Sequence, residues 1–286
     1  MKKKIGISTD CMCDLPADCL TESGVEIMQF YIHVATGRFL NDVEITSDNI
    51  VEYLASGNTF LRSSVPEPEE CRAYFDELLT RYDEIIHITT SDKVGLSYSN
   101  VQAALELMGD DKSRVALINS GCISTGVGQI VLLAVTLKNS GKTVSEIVTA
   151  CDAMRRKLAV SFIVPNADYL YRVGYAGPGA KALCRIFKVH PVLCTKNGKL
   201  VLKSFRVGSY EKAVLRYIRG ELRRGGRIDK RQLFITHAGC PSGLITQVKA
   251  KAVGLCRPDS VTVTKASAVI SGYFGPGALG VLFVTK

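Results

Sequence analysis

Apolar positions follow two rhythms along this chain, and the change comes near residue 156. In the first half, Lys3–Ser8, Glu84–Thr89 and Val115–Ile118 are short apolar runs that read as buried strands. Segments of helical length lie between them. One opens at Pro16 and stops at Gly24, the usual asymmetry of helix ends. Another is capped by Thr46 or Ser47 and runs to Gly57. A third follows Ser64 as N-cap and starts near Pro66, with Glu67, Glu69 and Glu70 in a first turn where the helix dipole favours them. Val25–Val34 reads as one strand, and Leu96–Met108 and Thr125–Lys138 as helices, the last entered through Gly126 and Gly128. Strands interleaved with such helices predict a mostly parallel sheet covered on both faces.

The second half mixes hairpins with helices. Val189–Cys194 and Lys199–Arg206 flank Asn197-Gly198, a strong hairpin signal. Lys157–Val164, Gln232–Thr236, Ser260–Lys265 and Ala278–Val284 read as further strands, and Ser209–Arg223 and Ser242–Val253 as helices. The pattern predicts an α/β domain with a mixed sheet. The join falls near the helix Ser145–Arg156, giving domains 1–156 and 157–286.

Composition narrows the class. Hydrophobic residues make up 47% of 286 and charged ones 22%, as in a globular chain with a real core. The longest apolar run, Ile130–Leu137, is far short of a membrane span. The basic start, Met1–Lys4, is not followed by the apolar segment of a signal peptide, so a cytoplasmic location is expected. The ten cysteines are scattered without a CxxC pair, which supports buried reduced thiols and no metal. A net charge of +9 attracts acidic partners, yet aromatics that could stack bases are few near the basic stretch Arg216, Arg219 and Arg223. A solvated helix face is the plain reading there, and no nucleic-acid partner is expected.

Four loops stand where open α/β sheets place ligands: Ser8–Pro16, Arg62–Pro66, Thr89–Tyr98 and Ser271–Gly280. Hydroxyls dominate them and none contains histidine. His33 and His87 fall inside strand patterns, His190 precedes Pro191, and His237 follows a strand. A serine nucleophile without a base in its own motif, and the lack of GxSxG or P-loop motifs, argue against an enzyme. Gly126-x-Gly128 reads as helix-entry packing. Hydroxyls with backbone N–H groups at helix starts are suited to hold an anion without reacting with it.

In this order the loops resemble the DegV family of fatty-acid-binding proteins over essentially the whole chain. Thr9-Asp10 with Asp14-Leu15-Pro16 is similar to the family's Thr-Asp-Ser…Asp-Leu-Pro, and Ser63-Ser64-Val65-Pro66 to its Thr-Ser-Gln-Pro. Ser91 through Tyr98 resembles Ser-Ser-x-Leu-Ser-Gly-Thr-Tyr. Asn119-Ser120 with Gly126-Val127-Gly128, Ile235 through Pro241, and Gly275 through Gly280 complete the set. The resemblance implies a Rossmann-like N-terminal domain, a C-terminal α/β domain and a long-chain fatty acid between them. The bound fatty acid is the ligand and no cofactor is implied. Family members present its carboxylate to a separate kinase, which makes acyl phosphate for phospholipid synthesis, so the protein is a carrier with at most transient membrane contact.

Site residues carried over by the resemblance are Ser63, Ser64, Gly95, Leu96, Ser97, Tyr273, Phe274 and Gly275 for the ligand, with Arg172 and Arg206 for docking the kinase. The departures cluster at the headgroup. Gly95 stands at a family serine, Leu96 at a glycine and Tyr273 at a histidine, while Val173-Gly174-Tyr175 replaces Gly-Gly-Arg. Each charge-assisted hydrogen bond lost removes about 1.5–3 kcal/mol. Burying a chain of about sixteen carbons still contributes on the order of 12 kcal/mol before entropic costs. The alternative reading keeps the scaffold and changes the ligand to another amphiphile or a small organic acid.

Overall fold

Three of the first-half strands are apolar on both faces, and the structure stacks them side by side. The structure, a computed structural model, describes residues 3–58, 61–172, 177, 179, 186–223 and 228–286. Strands β1 (Ile5–Asp10), β2 (Val25–Met28), β6 (Glu84–Thr89) and β7 (Val115–Asn119) form a sheet in the order β2-β1-β6-β7. Every pair in it is parallel. Gly6–Asp10 and Ile85–Thr89 are buried throughout, as expected where helices cover both faces.

The chain divides into two compact units. The first holds Met1–Glu44, Leu61–Arg156 and Asn197–Lys199; the second holds Ile45–Phe60, Lys157–Lys196 and Leu200–Lys286. Helix α2 (Ser47–Ala55) therefore falls in the second unit, although it stands early in the sequence.

In the first unit, α1 (Ala17–Ser23) ends on Gly24 at φ 59°. Helix α3 (Pro68–Leu78) begins on a reciprocal capping box between Glu67 and Glu70. Ser64 is consequently not its N-cap. It closes β5 (Leu61–Ser64), which pairs with β3 (Tyr31–Val34), itself paired with β4 (Gly37–Leu40). The single strand expected over Val25–Val34 is thus two strands in two sheets, broken at Gln29-Phe30. Helix α4 (Ser97–Leu107) follows β6, and α5 (Thr125–Asn139) follows β7. A Cβ on Gly128 would lie 2.8 Å from the Cys13 carbonyl and the Leu15 side chain, so its bareness is what lets α5 approach the loop after β1. Helix α6 (Val144–Arg155) closes the unit behind a Thr143–Glu146 capping box.

The second unit is built on a six-stranded mixed sheet. Its order is β10-β9-β8-β13-β11-β12, formed by β8 (Leu158–Ile163), β9 (Val189–Lys196), β10 (Lys199–Val207), β11 (Ile228–His237), β12 (Val261–Lys265) and β13 (Leu279–Thr285). β11 runs parallel to β12 and antiparallel to β13, which is antiparallel to β8. Asn197 and Gly198, at φ 51° and 79°, make the turn between β9 and β10 as their sequence predicts. Helices α8 (Tyr210–Leu222) and α9 (Ser242–Cys256) bury Tyr217, Ile218 and Val248 against this sheet. Short helices α7 (Asp168–Arg172) and α10 (Ala268–Phe274) complete the unit, and α10 packs on α2 through a Ser47–Ser271 hydroxyl bond of 2.7 Å. Among the described residues, no helix is long and apolar enough to cross a membrane.

Candidate functional site

In the first unit the chain leaves β1 to one side, for β2, and returns to its other side as β6. Such a reversal of strand order opens a crevice at the carboxyl ends of the two strands, where open α/β sheets bind ligands. Asp10 ends β1, and Thr89, Thr90 and Ser91 lead out of β6.

Asp10 is fully buried at this strand end and gathers hydrogen-bond donors around it. Its Oδ2 accepts the Thr90 N–H at 2.8 Å and the Ser97 hydroxyl at 3.1 Å, and its Oδ1 accepts the Met12 N–H at 3.3 Å. Burial pushes the carboxyl up to about 6, against the opposing pull of hydrogen bonds from Thr90, Ser97 and Met12. Asp10 also caps the short 3-10 turn Cys11–Cys13, which ends at Asp14 with φ 51°. Ser124, likewise at positive φ, donates its hydroxyl to Asp14 Oδ2 at 2.5 Å and so joins this turn to the entry of α5. The thiols here are inert. Burial pushes Cys13 and Cys122 up to about 12 and Cys11 well above its ordinary value.

A second polar centre lies on the small sheet. His33 Nε2 and Ser64 Oγ meet at 2.9 Å, brought together by the pairing of β3 with β5. A third is internal: the Ser8 hydroxyl bonds His87 Nδ1 at 2.9 Å and the Tyr74 hydroxyl at 2.8 Å. His87 is fully buried, its Nε2 has no hydrogen-bond partner among the described residues, and desolvation lowers its pKa to about 3, so the ring is neutral.

The residues singled out from sequence are placed as follows. Ser63 and Ser64 lie on β5 opposite Ile32 and Tyr31, not at a helix start. Gly95 faces open space, and Leu96 beside it is 65% exposed, so neither offers a polar side chain. Ser97 is buried at the first position of α4, and its proton is already given to Asp10. In the second unit, Ser271–Phe274 is helical rather than the loop expected, and Gly275 ends α10 at φ 81°. Phe274 is buried against Phe162, ring centres 4.4 Å apart, whereas Tyr273 is partly exposed. Arg206 lies on the edge strand β10, its guanidinium on the Ser204 hydroxyl and the Phe205 carbonyl. The side chain of Arg172 and the segment Val173-Gly174-Tyr175 lie outside the described residues.

Sequence reasoning left out Asp10, Thr90 and His33. Asp10 carried a signal, a lone carboxylate closing an apolar strand. His33 carried none, since its serine is 31 positions away and only strand pairing joins them. His33 and Ser64 form a hydroxyl–imidazole pair, but no carboxylate meets the other ring nitrogen among the described residues, so the orienting member of a triad is missing. Nor do the described residues contain a group of three or more His, Cys, Asp or Glu side chains that could hold a metal ion. The hydroxyls of Ser64 and Ser97 and the backbone N–H groups of Thr90, Ser91, Lys93 and Val94 are engaged within the protein, so an anion held here must displace or reverse one of these bonds.

Comparison with known proteins agrees with this fold. The model of the DegV family, described as a family of uncharacterised protein, matches residues 4–286. A DegV domain-containing protein of Caldanaerobacter subterraneus subsp. tengcongensis is 25% identical over 286 residues, covering 99% of this chain and 100% of its own. A DegV family protein of Thermus thermophilus, whose structure is described for its fatty acid binding, superposes with a TM-score of 0.84 at 25% identity, covering 99% of this chain and 100% of that one. A DegV family protein of Eubacterium eligens loaded with heptadecanoic acid shares the fold at a TM-score of 0.85 and 18% identity, covering 99% and 100%. Matched by the family model from residue 4 to residue 286, the chain belongs to the DegV family.

Proposed function

We propose that this chain carries a long-chain fatty acid and presents its carboxylate to a separate kinase, which makes acyl phosphate for phospholipid synthesis in the cytoplasm. The observation that supports it best is the full-length match to the Thermus thermophilus protein described as binding fatty acid. Ser64 and Ser97 carry hydroxyls at positions the family resemblance assigns to the head, each already in an internal hydrogen bond, and among the described residues no nucleophile has an oriented base. Arg206, and Arg172 with it, are proposed to dock the kinase. The protein is then a carrier and not itself the enzyme.

Gly95 and Leu96 favour a second reading at the head. Gly95 supplies no side-chain donor where the family has a serine, and Leu96 adds an apolar side chain where it has a glycine, so another amphiphile with a smaller demand for hydrogen bonds would suit the same scaffold.

Denaturing extraction of the purified protein followed by mass spectrometry should release a fatty acid in about equimolar amount. Delipidated protein should then take up a fatty acid at micromolar concentration. Failure of that uptake removes the reading. Uptake of a different amphiphile alone selects the second.

A further inference from the structure

The Asp10–Ser97 bond has a direction, and the direction conflicts with the task given to Ser97. A hydroxyl has one proton. With Asp10 ionised, the Ser97 proton is directed at Oδ2, 3.1 Å away, and Ser97 turns lone pairs elsewhere. Lone pairs repel a carboxylate. Oδ2 also accepts the Thr90 N–H at 2.8 Å, and the Thr90 side chain bonds the same carboxyl, so the line to Ser97 is one of the positions a proton can take. A proton placed on that line reverses the bond: Asp10 Oδ2–H donates to Ser97 Oγ, and the Ser97 proton becomes free to turn outward.

We propose that Asp10 sets the hydrogen-bonding sense of Ser97, so that an anionic head is held by Ser97 only as Asp10 takes up one proton from solution. The inference rests on the reading of Ser97 as a headgroup residue. Asp10 is a positioning residue in this scheme, since it acts through Ser97.

The surroundings favour such uptake. Burial already holds the carboxyl near 6, and a second negative charge brought close raises it further. The groups facing Asp10 cannot compensate. Cys11 and Cys13 on the 3-10 turn and Cys122 after β7 are neutral thiols, each pushed upward. Asp14 at the end of that turn is another carboxyl, bonded by Ser124. His87, earlier on β6, is a neutral ring. Among the described residues no hydrogen bond or ion pair joins Asp10 to a Lys, Arg or His, and Lys93, the cation of the loop between β6 and α4, is exposed.

Titration calorimetry with heptadecanoic acid, kept dilute enough not to aggregate so that its carboxyl, of pKa about 4.3, is ionised throughout, tests this on the intact, delipidated chain between about pH 6.5 and 8.5. Affinity should fall by up to about tenfold per pH unit over this range, as linkage to one proton requires. At pH 7.5, measurements in two buffers of unlike ionisation enthalpy should count close to one proton taken up per ligand. Asp10→Asn has no proton to gain, so its affinity should be flat with pH and its proton count near zero. Binding by the wild-type chain that is flat with pH and takes up no proton overturns the inference and leaves fatty acid carriage standing. A pH slope retained in Asp10→Asn overturns it as well. Absence of binding at every pH overturns the carrier reading together with this one. The proton count needs no variant, so a poorly folded Asp10→Asn does not shield the inference.

Discussion

Asp10→Asn should make the ligand-free protein more stable at pH 8 than the wild type, and less so or not at all at pH 5. The carboxyl rises from 3.8 to about 6 on folding. Its neutral form therefore favours the fold: the contribution is complete below about pH 3.8 and is lost as pH rises through about 6. A shift of that size corresponds to roughly 3 kcal/mol against the folded state at pH 8 and roughly 1.6 at pH 5. An asparagine with its carbonyl at the Oδ2 position keeps the bonds from Thr90 and Ser97. Its amide then meets the Met12 N–H, whose bond to Oδ1 is long at 3.3 Å, and that loss costs about 1 kcal/mol. The net gain is about 2 kcal/mol at pH 8 and falls by about 1.4 kcal/mol at pH 5. Urea unfolding of both proteins at the two pH values reads the difference directly, and the acid sensitivity of other groups cancels between them. An effect of Asp10→Asn that is the same at both pH values would refute a raised carboxyl. A loss of stability at pH 8 would show that the charge is compensated by something the hydrogen bonds do not account for.

Two further outcomes follow from other buried positions. His87 falls from 6.5 to about 3 on folding, so protonation favours the unfolded chain; its stability is complete above about pH 6.5 and is lost towards about pH 3, by roughly 5 kcal/mol in all. His87→Gln should flatten the acid limb of stability against pH measured by denaturant titration, and an unchanged limb would place the acid-sensitive group elsewhere. Gly128→Ala puts a Cβ 2.8 Å from the Cys13 carbonyl and should destabilise by about 1–3 kcal/mol, whereas Gly95→Ala meets nothing within 4 Å and should change stability by less than about 0.5 kcal/mol. Equal midpoints for the two alanine variants in thermal unfolding would contradict the packing of α5.

What the sequence makes legible here is what local chemistry decides. The apolar runs of β1, β6 and β7 announce a parallel sheet because both their faces are covered. Asn197-Gly198 announces its turn because both residues accept positive φ. The β4-β3-β5 sheet is hidden, since its strands are four residues long and Gly37-Arg38-Phe39-Leu40 and Leu61-Arg62-Ser63-Ser64 show no apolar alternation. Ser64 imitates an N-cap by standing before Pro66, but Glu67 and Glu70 cap each other instead. Helix α10 passes for a loop because Gly272 and Gly275 look like breakers; six of its seven residues are buried, so packing overrides propensity. The site is less legible than the fold. Ser97 could be named from its motif, but that its proton belongs to Asp10 depends on β1 and β6 being neighbours, 87 residues apart in sequence at this bond.

The magnitudes also decide what an altered head does to a lipid carrier. At pH 7.5 the proton that Asp10 must take up lies about 1.5 pH units above a carboxyl held near 6, a penalty of about 2 kcal/mol on binding. Burial of a tail of about sixteen carbons contributes on the order of 12 kcal/mol before entropic costs. The tail term exceeds the head term severalfold, so a protein built this way retains its ligand at neutral pH even with an unfavourable head. The side-chain donor missing at Gly95 acts on the smaller term. A head held weakly by a protonatable contact, on a tail held strongly, leaves the carboxylate the more easily surrendered end of the ligand, which is the end that the proposed presentation to a kinase requires to be free.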